Sequence, residues 1–334
     1  MHLNGFGLGT QYLPLFTQEP CATSGDDGNE ENAKRKFPVV VFSHGLGQCR
    51  SSYSVLCSHL ASHGFVVAAI EHRGLNAIHL NQDFCPSLTE QTLRTSQLRQ
   101  RADEVSRCVE FLRRLNDGVL KRDSFYAPRP GDSAKWGVLR SLAGRLDMSR
   151  LLLSGHSMGG VTTMKVLSKE NDLFRYRCGI ALDPWMYALR TEADDLFPKI
   201  GKSPLLCITM EAFQNLPNQK CLGKLLALAP EDAHREIITI KGSVHESQAD
   251  APFMSNQSAI SRIVSRYLIG PPSVTDHELI MDINVALMLK FASQFLEMEK
   301  FEDAEAELKE NEDLLRKGLI MDVDHEKPRI IHKL

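Results

Sequence analysis

The feature that most constrains this chain is a glycine-rich turn placed between an apolar strand and a helical stretch. The turn reads Gly155-His156-Ser157-Met158-Gly159-Gly160, directly after Leu151–Ser154 and directly before Val161–Lys169. A sharp turn of this kind strains the backbone at its serine, and residues larger than glycine around it would collide with the strand and the helix. The sequence therefore predicts a nucleophile elbow with Ser157 as the nucleophile. The alternative is a turn that merely links strand to helix, in which alanine could replace Ser157.

Apolar strands alternate with helical patterns along the chain. The predicted helices include Leu56–His63, which Gly64 ends, and the strongly amphipathic Gln97–Asn116. The predicted strands are Phe37–Phe42, Phe65–Ile70, Arg150–Ser154, Cys178–Leu182, Pro204–Thr209 and Glu236–Ile240. This order favours a mostly parallel, doubly wound sheet with helices on both faces and the ligand site at the carboxyl ends of the strands. Together with the elbow it predicts an α/β-hydrolase fold.

The chain divides into three predicted parts. Residues 1–36 are a short N-terminal segment followed by a mobile polar loop, because Gln18–Lys36 has almost no apolar residue to bury. Residues 37–296 are the catalytic domain. Residues 297–334 are a charged C-terminal helix and tail, since Leu296–Lys317 is dense in Glu, Asp and Lys and is typical of a solvated helix.

Composition and short motifs narrow the class of protein further. The net charge is −3 at pH 7 and the basic residues are scattered, so no nucleic acid partner is expected. Neither H-E-x-x-H nor C-x-x-C spacing occurs, so we expect no metal and no other cofactor, and reduced cysteines. The oligomeric state is left open.

Targeting signals are weak at both ends. Met1–Phe16 lacks a basic segment followed by an apolar core, and no stretch reaches ~18 apolar residues, so neither a signal peptide nor a membrane span is predicted. His332-Lys333-Leu334 only approximates the peroxisomal S-K-L address. We expect a cytoplasmic protein.

An oxyanion hole needs two backbone donors. The segment Ser43–Gly47, which reads S-H-G-L-G, follows the first buried strand, where hydrolases place their second oxyanion amide. The first amide belongs to the residue after the nucleophile. We therefore assign the N–H groups of Leu46 and Met158 to the hole, although S-H-G-L-G by itself would also suit a simple strand-ending turn.

The general base follows the nucleophile in this fold, which leaves the later histidines. His245 lies just past the strand Glu236–Ile240, where its loop can reach back over Ser157. The other histidines precede that strand or lie in or near the terminal helices: His234, His277, His325 and His332.

Two carboxylates compete for the role of the acid. Asp183 ends the strand Cys178–Leu182, whereas Glu211 follows the next strand. Either loop can reach the histidine, and Glu211 is slightly preferred because most hydrolases take the acid from the later strand. A solvated strand-end carboxylate is the alternative for both.

Long motifs in the same order resemble the platelet-activating factor acetylhydrolase family, both its intracellular type II and its plasma, lipoprotein-associated members. The resemblance covers roughly residues 37–296. It is carried by the elbow and by V-V-F-S-H-G-L-G (40–47), L-A-S-H-G-F-V-V-A (60–68), E-H-R (71–73), C-G-I-A-L-D (178–183) with W-M (185–186), and I-T-I-K-G-S-V-H (238–245). Met158 stands where the family usually has Phe, Pro184 where it has Ala, and Gly74 where it has Asp.

The resemblance implies a calcium-independent serine esterase whose acid follows C-G-I-A-L, which moves the choice from Glu211 to Asp183. The expected substrates are platelet-activating factor and phospholipids with short or oxidised sn-2 chains, with transient contact to a membrane surface. Trp185 and Phe213 are candidate walls of a short acyl pocket or, equally, ordinary core residues.

Two other functions remain open. The same triad chemistry would serve a general carboxylesterase or lipase. A non-catalytic lipid-binding relative is the other alternative, since the family has several dozen further residues before the H-G-L-G strand where this chain has only Met1–Phe16.

Overall fold

The chain folds around a seven-stranded sheet in a computed structural model that describes residues 2–4, 10–12, 36–73, 90–120, 137, 139–169, 175–255 and 273–320. A separate antiparallel pair is formed by β1 (His2–Asn4) and β2 (Thr10–Tyr12). The main sheet has the order β4-β3-β5-β6-β7-β8-β9. Its strands are β3 (Phe37–Ser43), β4 (Val66–Ile70), β5 (Leu146–His156), β6 (Tyr176–Leu182), β7 (Leu205–Met210), β8 (Arg235–Ile240) and β9 (Leu315–Lys317).

All neighbouring strands of the main sheet run parallel except β8 and β9, which are antiparallel. The predicted mostly parallel sheet is therefore confirmed. Its strands are nearly continuous apolar runs because both faces are covered.

Helices cover both faces of the sheet, as predicted. Their bounds are α1 (Ser54–Ser62), α2 (Glu90–Asn116), α3 (Met158–Leu167), α4 (Ala193–Ile200), α5 (Leu216–Ala227), α6 (Ala251–Ser255), α7 (His277–Phe295) and α8 (Glu302–Glu310). Alternate strand residues point to opposite faces: Val40 and Phe42 share a core with α1 and α7, whereas Val39 and Val41 pack with α2. Helix α2 begins seven residues before the predicted Gln97.

The predicted solvated helix over Leu296–Lys317 is shorter in the structure. Its one α-helix is α8, which a 3-10 turn over Glu312–Leu314 follows, and Ala304 and Leu308 of α8 are buried in the core that α7 shares with the sheet. The chain then joins the sheet as β9, which pairs with β8 through Ile240 and Leu315. The density of charged residues did not reveal that α8 packs on the core, because two well-spaced apolar side chains suffice to dock a short helix. The division at residue 296 stays a prediction.

Several predictions fall on residues outside this description. They concern the loop before Lys36, the histidines His325 and His332, and the tail His332-Lys333-Leu334. Among the described residues, no helix is both long enough and apolar enough to cross a bilayer.

Candidate active site

The predicted elbow is formed by the end of β5, a one-residue turn and the start of α3. Ser157 has a φ of 56° and is the N-cap residue of α3, so its backbone is held in the strained conformation that the turn requires. A Cβ on Gly155 would lie 2.5 Å from the carbonyl oxygen of Gly159, and a Cβ on Gly159 would overlap the carbonyl oxygen of Ser43. Both glycines are therefore required by backbone atoms that have no room to move.

Replacing Gly159 with Ala should destabilise the fold strongly, because the new Cβ meets the backbone of β3 rather than a flexible side chain. Overpacking typically costs ~1–3 kcal/mol, and contact with backbone should reach or exceed the upper end. Urea unfolding measures the effect. Gly223→Ala in α5 is the matched control: its Cβ would lie 3.5 Å from Leu319, an ordinary contact, so this variant should be neutral or more stable. Equal stabilities of the two variants would contradict the steric account.

An acid–histidine pair lies beside the elbow. Asp183, which follows β6, places Oδ2 2.5 Å from His245 Nδ1. Its Oδ1 accepts from the N–H of Met210 at 2.9 Å and from Gln214 Nε2 at 2.8 Å. Asp183 is fully buried, and this burial raises the pKa of its carboxyl while the hydrogen bonds from His245 and its other donors act to lower it. The three donors fix the carboxylate and thereby orient the imidazole.

The competing carboxylate points elsewhere. Glu211 is exposed, and its Oε2 accepts from the N–H of Gly242 at 2.8 Å. Pro184, which replaces the alanine usual in the family, does not disturb the hydrogen bond between Asp183 and His245. Its carbonyl accepts a hydrogen bond from Asn218 Nδ2 at 3.2 Å. The geometry thus pairs His245 with Asp183.

The imidazole of His245 lies between two other rings. Phe213 stacks on it with ring centroids 3.8 Å apart, and His156 lies 4.4 Å away on a tilted plane. Within the described part of the chain, Ser157 Oγ makes no hydrogen bond to His245 or to any other residue. Catalytic hydrogen bonds are often long before substrate binds, so the Asp183–His245 contact is the informative one.

Two backbone N–H groups near the elbow are candidates for the oxyanion hole. The N–H groups of Leu46 and Met158 donate to no acceptor among the residues that the structure describes. Met158 opens α3, where first-turn N–H groups have no partner within the helix. Leu46 follows Gly45, at which a Cβ would lie 3.4 Å from Ser157 Cβ. Both amides suit an oxyanion hole.

A buried chain of hydrogen bonds, which no sequence pattern predicts, joins three loops of the site. The N–H of Gly45 donates to Tyr53 Oη at 3.1 Å, and Tyr53 lies 2.8 Å from His156 Nδ1. His156 Nε2 lies 3.1 Å from the carbonyl of His245, so it carries the hydrogen and Tyr53 donates to Nδ1. Burial holds the pKa of His156 well below its ordinary value, which keeps the ring neutral. His156 adjoins the nucleophile in sequence, but nothing local marks Tyr53.

One nitrogen or oxygen from each of His156, Asp183 and His245 falls within a 4.8 Å cluster, a spacing that metal ligands also show. Hydrogen bonds account for this spacing: Asp183 Oδ2 pairs with His245 Nδ1, and both nitrogens of His156 have partners. These three residues therefore have the contacts of an acid–base pair beside a neutral structural histidine. Independence from metal stays a prediction.

The remaining candidates are placed as follows. The backbone N–H of Trp185 donates to the carbonyl of Ser157 at 3.1 Å, and the indole ring stacks on Tyr187 with centroids 5.5 Å apart. Its role as a pocket wall stays a prediction. His234 contacts the α7 aromatic Phe295 with centroids 4.9 Å apart, and His277 begins α7. Neither histidine is joined to the elbow.

Comparisons with known proteins place the chain in a family. A family profile described as platelet-activating factor acetylhydrolase, isoform II, matches residues 16–85 and 80–314. The platelet-activating factor acetylhydrolase of Cavia porcellus is 33% identical over 83% of this chain and 62% of its own length. That of Gallus gallus is 35% identical over 66% of this chain and 54% of its own length. The chain thus spans somewhat over half the length of these curated relatives.

A solved structure supports the fold independently. The ferulic acid esterase from Streptomyces cinnamoneus aligns with a TM-score of 0.53 and 18% identity, over 80% of this chain and 69% of that one. At this identity the match shows the α/β-hydrolase fold alone. The profile match covers most of the chain, and with the relatives above 30% identity it shows that the chain belongs to the platelet-activating factor acetylhydrolase, isoform II, family.

Proposed function

We propose that this protein is a carboxylic ester hydrolase that uses Ser157 as nucleophile, His245 as general base and Asp183 as its orienting acid. The observation that carries the proposal is the buried Asp183, 2.5 Å from His245 in the loop beside the elbow. Residues 37–296 would contain all of these groups. Family membership supports the same activity.

The reaction follows from the positions of these groups. Ser157 Oγ attacks the ester carbonyl as His245 takes its proton, and the amides of Leu46 and Met158 stabilise the oxyanion that forms. Collapse expels the alcohol, which receives the proton from His245, and leaves an acyl group on Ser157. Water, deprotonated by His245, then releases the acid and regenerates the serine. Asp183 stabilises the imidazolium in both halves.

The finer proposal concerns the substrate: the sn-2 acetyl, or short or oxidised acyl, ester of platelet-activating factor and related phospholipids. Several relatives are named for that activity, and a putative phospholipase A2 of Schizosaccharomyces pombe is 26% identical over 77% of this chain. In this proposal Phe213, which stacks on His245, limits the length of the acyl group. A membrane surface would be only a transient partner.

Turnover should fall steeply as the sn-2 chain lengthens from acetyl to unoxidised palmitoyl. One methylene that does not fit costs only ~1–3 kcal/mol, so rejection of a long chain accumulates from steric exclusion and poor extraction from the lipid surface. Specificity constants measured in mixed micelles at matched surface concentration, in excess chelator, check this prediction. Equal constants for the two substrates would favour a general lipase, and loss of all turnover with chelator would contradict independence from metal.

Labelling with an active-site-directed organophosphate tests the enzyme class itself. Only a serine next to a working base and oxyanion hole reacts quickly, so mass spectrometry should find a single adduct on Ser157. A protein that binds phospholipid vesicles but is not labelled would be the non-catalytic alternative.

A further inference from the structure

A buried guanidinium lies behind the proposed oxyanion loop. Arg101, on α2, is fully buried and is among the largest fully buried side chains of the described residues. Its Nη1 donates to the carbonyl of His44 at 2.5 Å, and its Nη2 donates to the carbonyl of Gly45 at 3.2 Å. The planar fork thus holds two successive carbonyls of one loop in a fixed relative geometry, which the rotatable donors of a lysine would not impose.

These carbonyls determine where the loop's amides point. The described chain has no cis peptide bond, so each N–H points opposite to the carbonyl of the same peptide unit. The first unit bears this out: the carbonyl of His44 faces Arg101, and the N–H of Gly45 faces away and donates to Tyr53. In the next unit the carbonyl of Gly45 faces Arg101, so the N–H of Leu46 must also point away from the guanidinium.

The side of the loop away from Arg101 is the side of the nucleophile. Tyr53, which receives the N–H of Gly45, bonds to His156, the neighbour of Ser157. A Cβ at Gly45 would lie 3.4 Å from Ser157 Cβ. The carbonyl of Gly45 also accepts from His44 Nδ1 at 2.7 Å and from the N–H of Gln48 at 3.4 Å, so Arg101 is one of three donors that hold this peptide unit.

A contribution to folding stability does not by itself explain why a charged guanidinium is buried behind this loop. Taking a charge out of water is expensive, and apolar residues of similar size are often equal or better for stability. Burial lowers the pKa of Arg101 to about 10, which still leaves the guanidinium charged at neutral pH. A charged fork behind the loop holds the peptide dipole of Gly45–Leu46 with its positive end toward the reacting oxygen.

We propose that Arg101 is a positioning residue of the esterase reaction, which fixes the Gly45–Leu46 peptide so that the Leu46 N–H faces the oxyanion on the substrate. This inference rests on the proposed function, since it needs Ser157 to form a tetrahedral intermediate. It predicts an effect on the transition state rather than on substrate binding.

The test compares two arginines with similar local contacts. Arg235, at the first residue of β8, also holds two carbonyls of one loop, those of Gly201 at 2.5 Å and of Ser203, but at the opposite end of the strands from the site. Arg101→Met, Arg101→Lys and Arg235→Met are assayed with p-nitrophenyl acetate and with a trifluoromethyl ketone, which the nucleophile converts to an oxyanion adduct. Thermal unfolding measures the stability of each variant.

For Arg101→Met we expect kcat to fall ~10- to 10³-fold, the upper end being typical of a lost oxyanion donor, with KM changed less than about twofold. The ketone should bind more weakly by a similar factor. Arg101→Lys, which keeps the charge but not the fork, should also lose kcat, and it serves as the measured variant if Arg101→Met fails to fold. Arg235→Met should lose stability and keep its kcat.

Two results would overturn the inference, and they are distinguishable. If wild-type Ser157 reacts with the organophosphate while a folded Arg101 variant keeps wild-type kcat, or changes KM alone, the positioning role is wrong and the proposed function stands. If wild-type Ser157 is not labelled, the proposed function fails and the inference fails with it.

Discussion

Replacing Ser157 with Ala should lower kcat by at least about a thousandfold and remove organophosphate labelling, while the fold stays intact. The nucleophile, base and acid act as a unit, so losing one member removes most of the catalysis that the unit provides. His245→Ala should have an effect of similar size. Active-site titration and steady-state kinetics on the purified variants measure both losses.

Ser293→Ala is the matched control for this experiment. Ser293 and Ser157 are each 8% exposed, but the Ser293 hydroxyl only donates to the carbonyl of Lys290 within α7. Its removal should leave kcat unchanged and cost at most a small part of the free energy of unfolding. More than a tenth of wild-type activity in Ser157→Ala would show that the elbow serine is not the nucleophile.

Asp183→Asn should impair turnover far more than Glu211→Gln, by up to ~10⁴-fold, because a neutral amide neither stabilises the imidazolium nor holds the useful tautomer. Asp183 is buried on His245, whereas Glu211 is exposed and bonds to the backbone of Gly242. Glutamine at position 211 can still accept that backbone hydrogen bond, so this variant tests charge alone.

The NH₂ group of asparagine at position 183 cannot accept a hydrogen bond. It must therefore face at least one group that now donates to the carboxylate: His245 Nδ1, the N–H of Met210 or the side chain of Gln214. Some loss of stability is therefore expected, and unfolding must be measured with the kinetics. A folded Glu211→Gln with the larger loss of kcat would move the acid to the strand after β6 and contradict the pairing seen here.

The elbow and the order of the strands could be predicted because their signals are local. A run of apolar residues and a glycine-rich turn are both visible within a dozen residues, and parallel strands bring their carboxyl ends to one edge. Asp183 and Glu211 both lie at that edge, so strand patterns alone allowed either residue and slightly preferred Glu211, on the later strand. The family resemblance favoured Asp183, and the structure places Asp183 on His245.

The supports of the site could not be predicted for the opposite reason. Tyr53 meets His156 across 103 positions of sequence, and Arg101 meets His44 across 57. A tyrosine at the start of a helix or an arginine within one reads as an ordinary surface residue until the helix is packed. Buried polar contacts of this kind become visible only when the elements are assembled.

Strand β9 pairs with β8 at one edge of the apolar sheet. Without residues 297–320, β8 would be the last strand, with the run Ile237, Ile238 and Ile240 beside an open row of backbone donors and acceptors. Such an edge is a template for pairing with another chain. The three-residue strand Leu315–Lys317 pairs with the second half of β8 and presents two basic side chains to solvent. Both features disfavour the pairing of this edge with another chain.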